Sequence, residues 1–191
     1  MLAVRAARGD RDAFDELVRR YQVRIFRLAR ILTRGDRRDA EDLAQETFIR
    51  AYRAVGRFRH DATFQTWLHR IALNVIWSYL ARRRIRATDL PLTAGEGEPD
   101  GRPMGRGISS GDDVEAALIR REAIDRALGT LSTEARLAIT LRDIQGLDYQ
   151  EIATIMGVPI GTVESRIFRA RRRLRPLLEP LLHMARQREG I

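Results

Sequence analysis

Apolar residues recur at steps of three and four positions along most of this chain, the spacing that places them on one face of an α-helix. The longest run follows Gly9 and Asp10. Its apolar positions are Phe14, Leu17, Val18, Tyr21, Ile25, Leu28, Ala29 and Leu32. Gly35 interrupts the run, and Asp36 can cap the next helix, DRRDAEDLAQETFIRAYRAV. The sequence shows no alternating strand pattern, so we predict an all-α fold.

A third helical pattern follows the loop GRFRHDAT and ends in an arginine cluster at residues 82–86. Its apolar stripe consists of Leu68, Ile71, Ala72, Val75, Ile76 and Tyr79. Periodicity then disappears, and glycine, proline, serine and acidic residues dominate up to residue 112. This composition is typical of a flexible linker, because it offers too few apolar groups to bury. We therefore predict a helical unit over residues 1–86 and a linker over residues 87–112.

A second helical unit is predicted for residues 113–191. The apolar positions of its first helix are Val114, Leu118, Ile124 and Leu128. Ser132 can cap a further helix, which Gly146 closes. The chain is thus predicted to consist of two small helical domains joined by a flexible linker.

The stretch from Asp148 to Arg175 predicts a helix-turn-helix. Asp148 and Glu151 have the spacing of a capping box, in which each side chain accepts a hydrogen bond from the other residue's backbone amide. Gly157 suits a left-handed residue at the end of the first helix, and Pro159 cannot continue that helix. A second helix then opens at Gly161 and Thr162.

The second helix of this motif has two chemically different faces. A helical wheel places Val163, Ile167, Ala170 and Leu174 together on the side that must be buried. The opposite side presents Ser165, Phe168, Arg169 and Arg172. Six arginines and no acidic residue occur between residues 165 and 175. Such a face can enter the major groove of DNA, so we interpret this element as a DNA-binding helix.

Composition supports a polyanionic partner and excludes several kinds of site. The net charge is +9 and the pI about 11.1, with arginine as the basic residue throughout. Cysteine is absent, and His60, His69 and His183 lack metal-ligand spacing. We predict no catalytic site, no metal and no cofactor. The start, MLAVRAARGD, does not resemble a signal peptide and no apolar run approaches a membrane span, so we expect a cytoplasmic protein without membrane insertion.

Acidic side chains gather near the start of the second predicted helix, at Asp39, Glu41, Asp42 and Glu46. The helix dipole accounts for Asp39 and for Glu41, but its effect fades after the first turn. A negative, partly apolar patch on a basic protein therefore suggests a protein partner that carries positive charge. A metal-dependent nuclease built on these carboxylates is a rival interpretation, which lacks a phosphate-binding glycine loop.

Aromatic residues stand beside arginines at the start of the third helix. The aromatic residues are Phe58, Phe64 and Trp67, and the arginines are Arg57, Arg59 and Arg70. Aromatic faces interleaved with arginine can hold unstacked bases. The alternative is that these rings are core, which we favour for Trp67 and Trp77; for Phe58 both interpretations stay open.

The chain resembles the extracytoplasmic-function (ECF) sigma factors, the smallest bacterial sigma subunits of RNA polymerase, and in particular their envelope-stress branch. The resemblance rests on three motifs in a fixed order, DAEDLAQETFIRAYRA, FRHDATFQTWLHRIALN and RLAITLRDIQGLDYQEIATIMGVPIGTVESRIFRARRRL. It implies that the N-terminal unit is sigma region 2 and the C-terminal unit is region 4. A stand-alone helix-turn-helix regulator is the alternative, and such proteins usually dimerise to read paired half-sites.

The resemblance also implies protein partners. The acidic helix would bind the clamp helices of the β′ subunit of core RNA polymerase. The residues at the matching motif positions are Asp42, Leu43, Gln45, Glu46 and Phe48. The C-terminal unit would sit on the β flap, and an anti-sigma factor is implied as a further partner.

For promoter DNA, the resemblance implies two binding surfaces. Residues of the N-terminal unit would hold a flipped base of the minus-ten element and the strand around it. These residues are Phe58, Ile71, Asn74, Arg82, Arg83 and Arg84. The helix-turn-helix would read the minus-thirty-five element, with Arg142 and Arg166 as phosphate contacts. The other residues of this set are Thr162, Glu164, Ser165, Phe168, Arg169 and Arg172.

Glu164 departs from the family pattern, because close relatives have a basic residue there. A carboxylate repels phosphate and can accept only from a donor such as the amino group of cytosine. We therefore do not expect the upstream sequence of the stress branch to apply to this chain.

Overall fold

The structure is a computed structural model that describes residues 1–34, 37–59, 61–89 and 111–188. Every regular element among these residues is helical, and they divide into two compact units. The prediction of an all-α chain with two helical units is confirmed.

The described residues of the N-terminal unit form four helices. They are α1 (Leu2–Ala7), α2 (Arg11–Thr33), α3 (Arg37–Ala54) and α4 (Phe64–Asp89), with a 3-10 turn at Val55–Arg57. Helices α2, α3 and α4 pack against one another in all three pairs. Their shared core includes Ile25, Leu28, Leu68 and Ile76, each at most 1% exposed. These residues belong to the apolar stripes that the sequence predicts for α2 and α4.

A side-chain cap marks the start of α2, and a left-handed residue marks its end. The Asp10 carboxylate accepts from the amide of Ala13 at 3.0 Å and caps the helix. Arg34 follows the last residue with a left-handed φ of 63°. The sequence places the interruption at Gly35 and the next cap at Asp36, and both residues lie outside the described part of the chain.

A partly buried polar link joins α3 to α4. The Tyr79 hydroxyl donates a hydrogen bond to the carboxylate of Asp39. Burial, followed by this bond, raises the pKa of Tyr79 above its ordinary value, because both favour the neutral phenol. Asp39 therefore has a tertiary role in addition to the favourable interaction with the helix dipole.

The described residues from 111 to 188 form four further helices. They are α5 (Gly111–Gly129), α6 (Thr133–Ile139), α7 (Tyr149–Met156) and α8 (Ile160–Arg188), and a π-turn at Thr140–Ile144 continues α6. Helix α8 packs against α5 and α6 and continues through Pro176 and Pro180. Ser132 caps α6 through a 3.3 Å bond from the amide of Ala135, as predicted.

The helices extend beyond the predicted limits of the linker. Helix α4 ends at Asp89 and α5 begins at Gly111, so the first and last residues of the predicted 87–112 linker are helical. Residues 90–110 lie outside the described residues, and the linker itself stays a prediction.

Candidate nucleic-acid and polymerase interfaces

The helix-turn-helix begins with the capping box predicted from sequence. The amide of Glu151 donates to the Asp148 carboxylate at 2.7 Å, and the amide of Asp148 donates to the Glu151 carboxylate at 3.1 Å. Gly157 has a φ of 65°, the left-handed conformation expected at the end of α7. The turn chemistry of the motif is therefore confirmed.

Helix α8 separates its residues as the helical wheel predicts. Val163, Ile167 and Ala170 are at most 1% exposed, and Leu174 is 7% exposed. The opposite side is exposed, with Thr162 and Arg166 half-buried at its margins. The exposed members of the predicted set are Glu164, Ser165, Phe168, Arg169 and Arg172. Phe168 is 68% exposed, so a large aromatic ring stands in solvent on a helix whose other side is fully packed.

Arg169 lies along the exposed side of α8. Its Nε donates to the Ser165 carbonyl at 3.1 Å, and its terminal nitrogen lies 3.4 Å from the Ser165 hydroxyl. That hydroxyl donates to the Thr162 carbonyl at 3.0 Å. The guanidinium thus lies along the exposed surface of its own helix.

An ion pair holds α8 to the π-turn. Arg171 donates to the two oxygens of Asp143 at 2.6 and 3.2 Å, and these hydrogen bonds raise the pKa of the guanidinium. The partners are 28 positions apart, so helical spacing could not reveal them. Arg171 thus links α8 to the π-turn through an exposed pair, in addition to any contact with DNA.

Arg142 is tied to the turn that precedes α7. Its Nη1 donates to the Leu147 carbonyl at 2.9 Å, and its guanidinium stands 4.8 Å from the centre of the Tyr149 ring. The residue is half-buried. Its assignment as a phosphate contact stays a prediction.

The residues predicted to bind polymerase lie on α3. Asp42 and Gln45 are exposed, Phe48 is half-buried, and Glu46 pairs with Arg50 at 2.7 Å. Leu43 is only 6% exposed. It therefore packs inside the N-terminal unit and presents little surface to a partner.

A groove of about 1050 Å³ opens between α2 and α3 beside these residues. Its apolar lining consists of Phe14, Val18, Val23, Phe26, Ala44, Phe48, Ile49 and Tyr52. Charged side chains, among them Arg11, Glu41 and Arg53, also line it. The contribution of α2 was missed from the sequence. The sequence feature that could have indicated it is that Val23 and Phe26 are apolar but fall outside the core stripe of α2.

The predicted minus-ten residues differ in exposure. Phe58 is 8% exposed, and its ring centre lies 5.2 Å from that of Trp67 and 5.9 Å from that of Phe64. Asn74 is exposed and Ile71 half-buried, one turn apart on α4. The arginines Arg82, Arg83 and Arg84 are exposed. The buried position of Phe58 favours its interpretation as core, and a role in holding a base stays a prediction.

The described residues show neither a membrane span nor a metal site. None of the helices found there is long and apolar enough to cross a membrane. Over the same residues, no cluster of three or more histidine, aspartate or glutamate side chains could hold a metal ion.

Two family models match the chain, one in each unit. Sigma-70 region 2 matches residues 17–85, and Sigma-70, region 4 matches residues 121–174. The RNA polymerase sigma-H factor of Pseudomonas aeruginosa is 42% identical over 190 residues, which cover 96% of this chain and 95% of that protein. The ECF RNA polymerase sigma-E factor of Escherichia coli is 40% identical over 185 residues, 95% of each. The chain belongs to the ECF sigma factors.

Solved sigma-factor structures share the fold of this sigma factor. CnrH, solved in complex with the cytosolic domain of CnrY, is 31% identical with a TM-score of 0.68, covering 94% of this chain and 96% of that one. RpoE of Bartonella quintana, solved with the anti-sigma factor NepR, is 26% identical with a TM-score of 0.70, covering 87% and 96%.

Family membership confirms the interpretation reached from the sequence. Region 2 falls within α2–α4 and region 4 within α5–α8. The protein is a transcription initiation factor that binds core RNA polymerase and directs it to promoters.

Proposed function

We propose that this sigma factor reads the minus-thirty-five element with the exposed side of α8, captures the minus-ten element with α4, and binds core polymerase through α3. It does so as a specificity subunit without catalytic chemistry of its own. We place it in the cytoplasm, where polymerase and promoter DNA meet, and under the control of an anti-sigma factor.

The observation that carries the proposal is the division of α8 into a packed side and an exposed basic side. Phe168 is 68% exposed beside Arg169 and Arg172, so its ring contributes little to the packing of the fold. An aromatic ring can contact a thymine methyl group, and arginine can bind guanine through two hydrogen bonds. These are the side chains that base recognition in a major groove requires.

The upstream assignment is tested by transcription from a promoter library randomised in both elements, with purified core polymerase and the full chain. Arg169→Ala should flatten the preference at one upstream base pair by about 1–3 kcal/mol. Arg166→Ala serves as the control, because loss of a phosphate contact lowers transcription about equally for every sequence. Unchanged base preference in Arg169→Ala would contradict the assignment.

For polymerase binding, we propose that the β′ clamp helices contact α3 beside the apolar groove. Asp42 is exposed there and can meet a basic partner, whereas Leu43 supports the helix from inside. Asp42→Arg should abolish co-elution with core polymerase while the helical circular dichroism signal is retained. Asp12→Arg makes the same charge change on exposed α2 surface and should still co-elute. Co-elution of both variants would refute this contact.

Control by an anti-sigma factor is proposed by analogy with RpoE of Bartonella quintana, which is solved with the anti-sigma factor NepR. The groove between α2 and α3 gives such a partner an apolar surface beside the polymerase contact. A partner bound there would compete with core polymerase. Co-purification of a partner that core polymerase displaces would support this, and a partner that binds together with core polymerase would argue against it.

A further inference from the structure

Glu164 stands out by charge on the DNA-binding helix. It is the one acidic residue between Ile160 and Leu178, a stretch of sequence that contains six arginines. Its side chain is exposed, next to Ser165 and one turn before Phe168. A carboxylate at this place needs a reason, because it opposes the attraction of the helix for phosphate.

An ion pair within the helix does not supply that reason. The residues three and four positions before and after Glu164 are isoleucine, glycine, isoleucine and phenylalanine, so none can pair with it along α8. Acidic residues on other helices do pair at this spacing, as Glu16 does with Arg20 and Glu46 with Arg50, both at 2.7 Å. Within the described part of the chain, no hydrogen bond or ion pair engages the Glu164 carboxylate.

The helix dipole does not supply it either. Helix α8 begins at Ile160, which makes Glu164 its fifth residue. The favourable effect of a negative charge is confined mainly to the first turn. Glu164 therefore contributes little to folding, and its role is to be sought on the surface that meets DNA.

The chemistry of the major groove narrows the possible partners. Phosphates repel a carboxylate, so within a major groove Glu164 is best accommodated over base edges, where it can accept but not donate hydrogen bonds. Two groups donate there, the amino groups of cytosine and adenine. Adenine sets the acceptor N7 beside its amino group, and this atom would repel the second carboxylate oxygen. Cytosine is therefore the better match.

We propose that Glu164 makes this sigma factor select a cytosine in the minus-thirty-five element. The inference rests on the proposed reading of that element by α8. Glu164 and Arg169 are separated by five residues, which is about 7.5 Å along the helix axis and about 140° around it. The proposal therefore assigns them to different base pairs.

The test uses full-length sigma factor with core polymerase and the same randomised promoter library. Wild type should enrich cytosine at one upstream position, and Glu164→Ala should lower that preference by about tenfold while other positions keep theirs. Glu179→Ala removes an exposed charge from the same helix without touching the reading face, and it should leave every preference unchanged. Replacing the selected cytosine by a pyrimidinone base, which lacks the amino group, should weaken wild type but not Glu164→Ala.

The outcomes separate this inference from the function on which it rests. If Arg169→Ala changes the base preference at one upstream position and Glu164→Ala changes none, the cytosine contact is wrong and the reading by α8 stands. If neither variant changes a preference, the reading by α8 is wrong as well. A uniform change across all sequences in Glu164→Ala, or enrichment of another base at its position, would also overturn the cytosine contact.

Discussion

Adjacent residues on α8 should respond in opposite ways to truncation. Ile167 is 1% exposed and packs in the core of the C-terminal unit, whereas Phe168 is 68% exposed. We expect Ile167→Ala to weaken the fold of this unit. We expect Phe168→Ala to leave the fold intact and to weaken discrimination in the upstream element.

The magnitude for Ile167→Ala follows from what the substitution removes. Three buried carbon atoms are lost, at about 0.8 kcal/mol each, or about 2.4 kcal/mol in transfer free energy. The cavity left in a packed interior adds a further cost of about 1–2 kcal/mol. The higher helix propensity of alanine offsets about 0.4 kcal/mol of this loss. The free energy of unfolding should therefore fall by about 3–4 kcal/mol. For exposed Phe168 the change should stay within about 0.5 kcal/mol.

Hydrogen exchange resolves this prediction, because both tryptophans, Trp67 and Trp77, belong to α4 and report only on the N-terminal unit. A loss of about 3 kcal/mol, the lower end of this range, lowers the protection of buried α8 amides roughly 150-fold. The tryptophan fluorescence transition serves as the internal control and should not move. If Ile167→Ala kept its protection within a factor of about five, or less than about 1 kcal/mol, the assignment of the packed side of α8 would be refuted.

Three further predictions concern stability. Asp148→Ala removes one half of the capping box and should lower the free energy of unfolding of the C-terminal unit by about 1 kcal/mol, measured by hydrogen exchange. Replacing buried Arg136 by methionine leaves the Leu128 and Leu131 carbonyls without its hydrogen bonds and should cost at least about 2 kcal/mol by the same measurement. The pKa of Asp10 is lowered from its ordinary value of 3.8, mainly because the carboxylate accepts a hydrogen bond from the amide of Ala13. The charged carboxylate therefore stabilises the N-terminal unit at pH values above 3.8, and this contribution is lost as the pH falls through the pKa of the folded state. Asp10→Asn should therefore reduce stability near neutral pH, and its difference from wild type in tryptophan-monitored urea unfolding should vanish in acid.

Local rules predicted most of the helix-turn-helix. Its features depend on residues that are close in sequence. These features are the capping box of Asp148 and Glu151, the left-handed Gly157, and the buried side of α8, whose successive members are three or four positions apart. Such features depend on backbone geometry that is the same in every helix. They could therefore be read directly from spacing.

Contacts between distant segments could not be read in this way. The ion pair of Asp143 with Arg171 spans 28 positions, and the bond from Tyr79 to Asp39 spans 40. Many arginines and acids in this sequence are equally plausible partners until the packing of the helices is known. The burial of Arg136 could not be predicted either. Its guanidinium donates to the backbone carbonyls of Leu128 and Leu131, and such contacts cannot be recognised from the spacing of apolar residues.

The N-terminal site was predictable only in part. Charge singled out the acidic patch on α3, but a groove depends on how two helices pack, and α2 supplies half of its walls. Composition also could not decide the state of Phe58. Aromatic residues beside arginines suit both a core and a base-binding surface, and the structure places this ring among Phe64 and Trp67.

The two sides of α8 explain how specificity can change without loss of the fold. Val163, Ile167 and Ala170 hold the helix in place, and the pair of Arg171 with Asp143 fixes it to the π-turn. The exposed residues of the opposite side form no part of this packing. A substitution there changes the groups offered to a base while the backbone keeps its position. The cytosine contact proposed for Glu164 would be a specificity of this kind, because the exposed carboxylate demands no compensating change in the core.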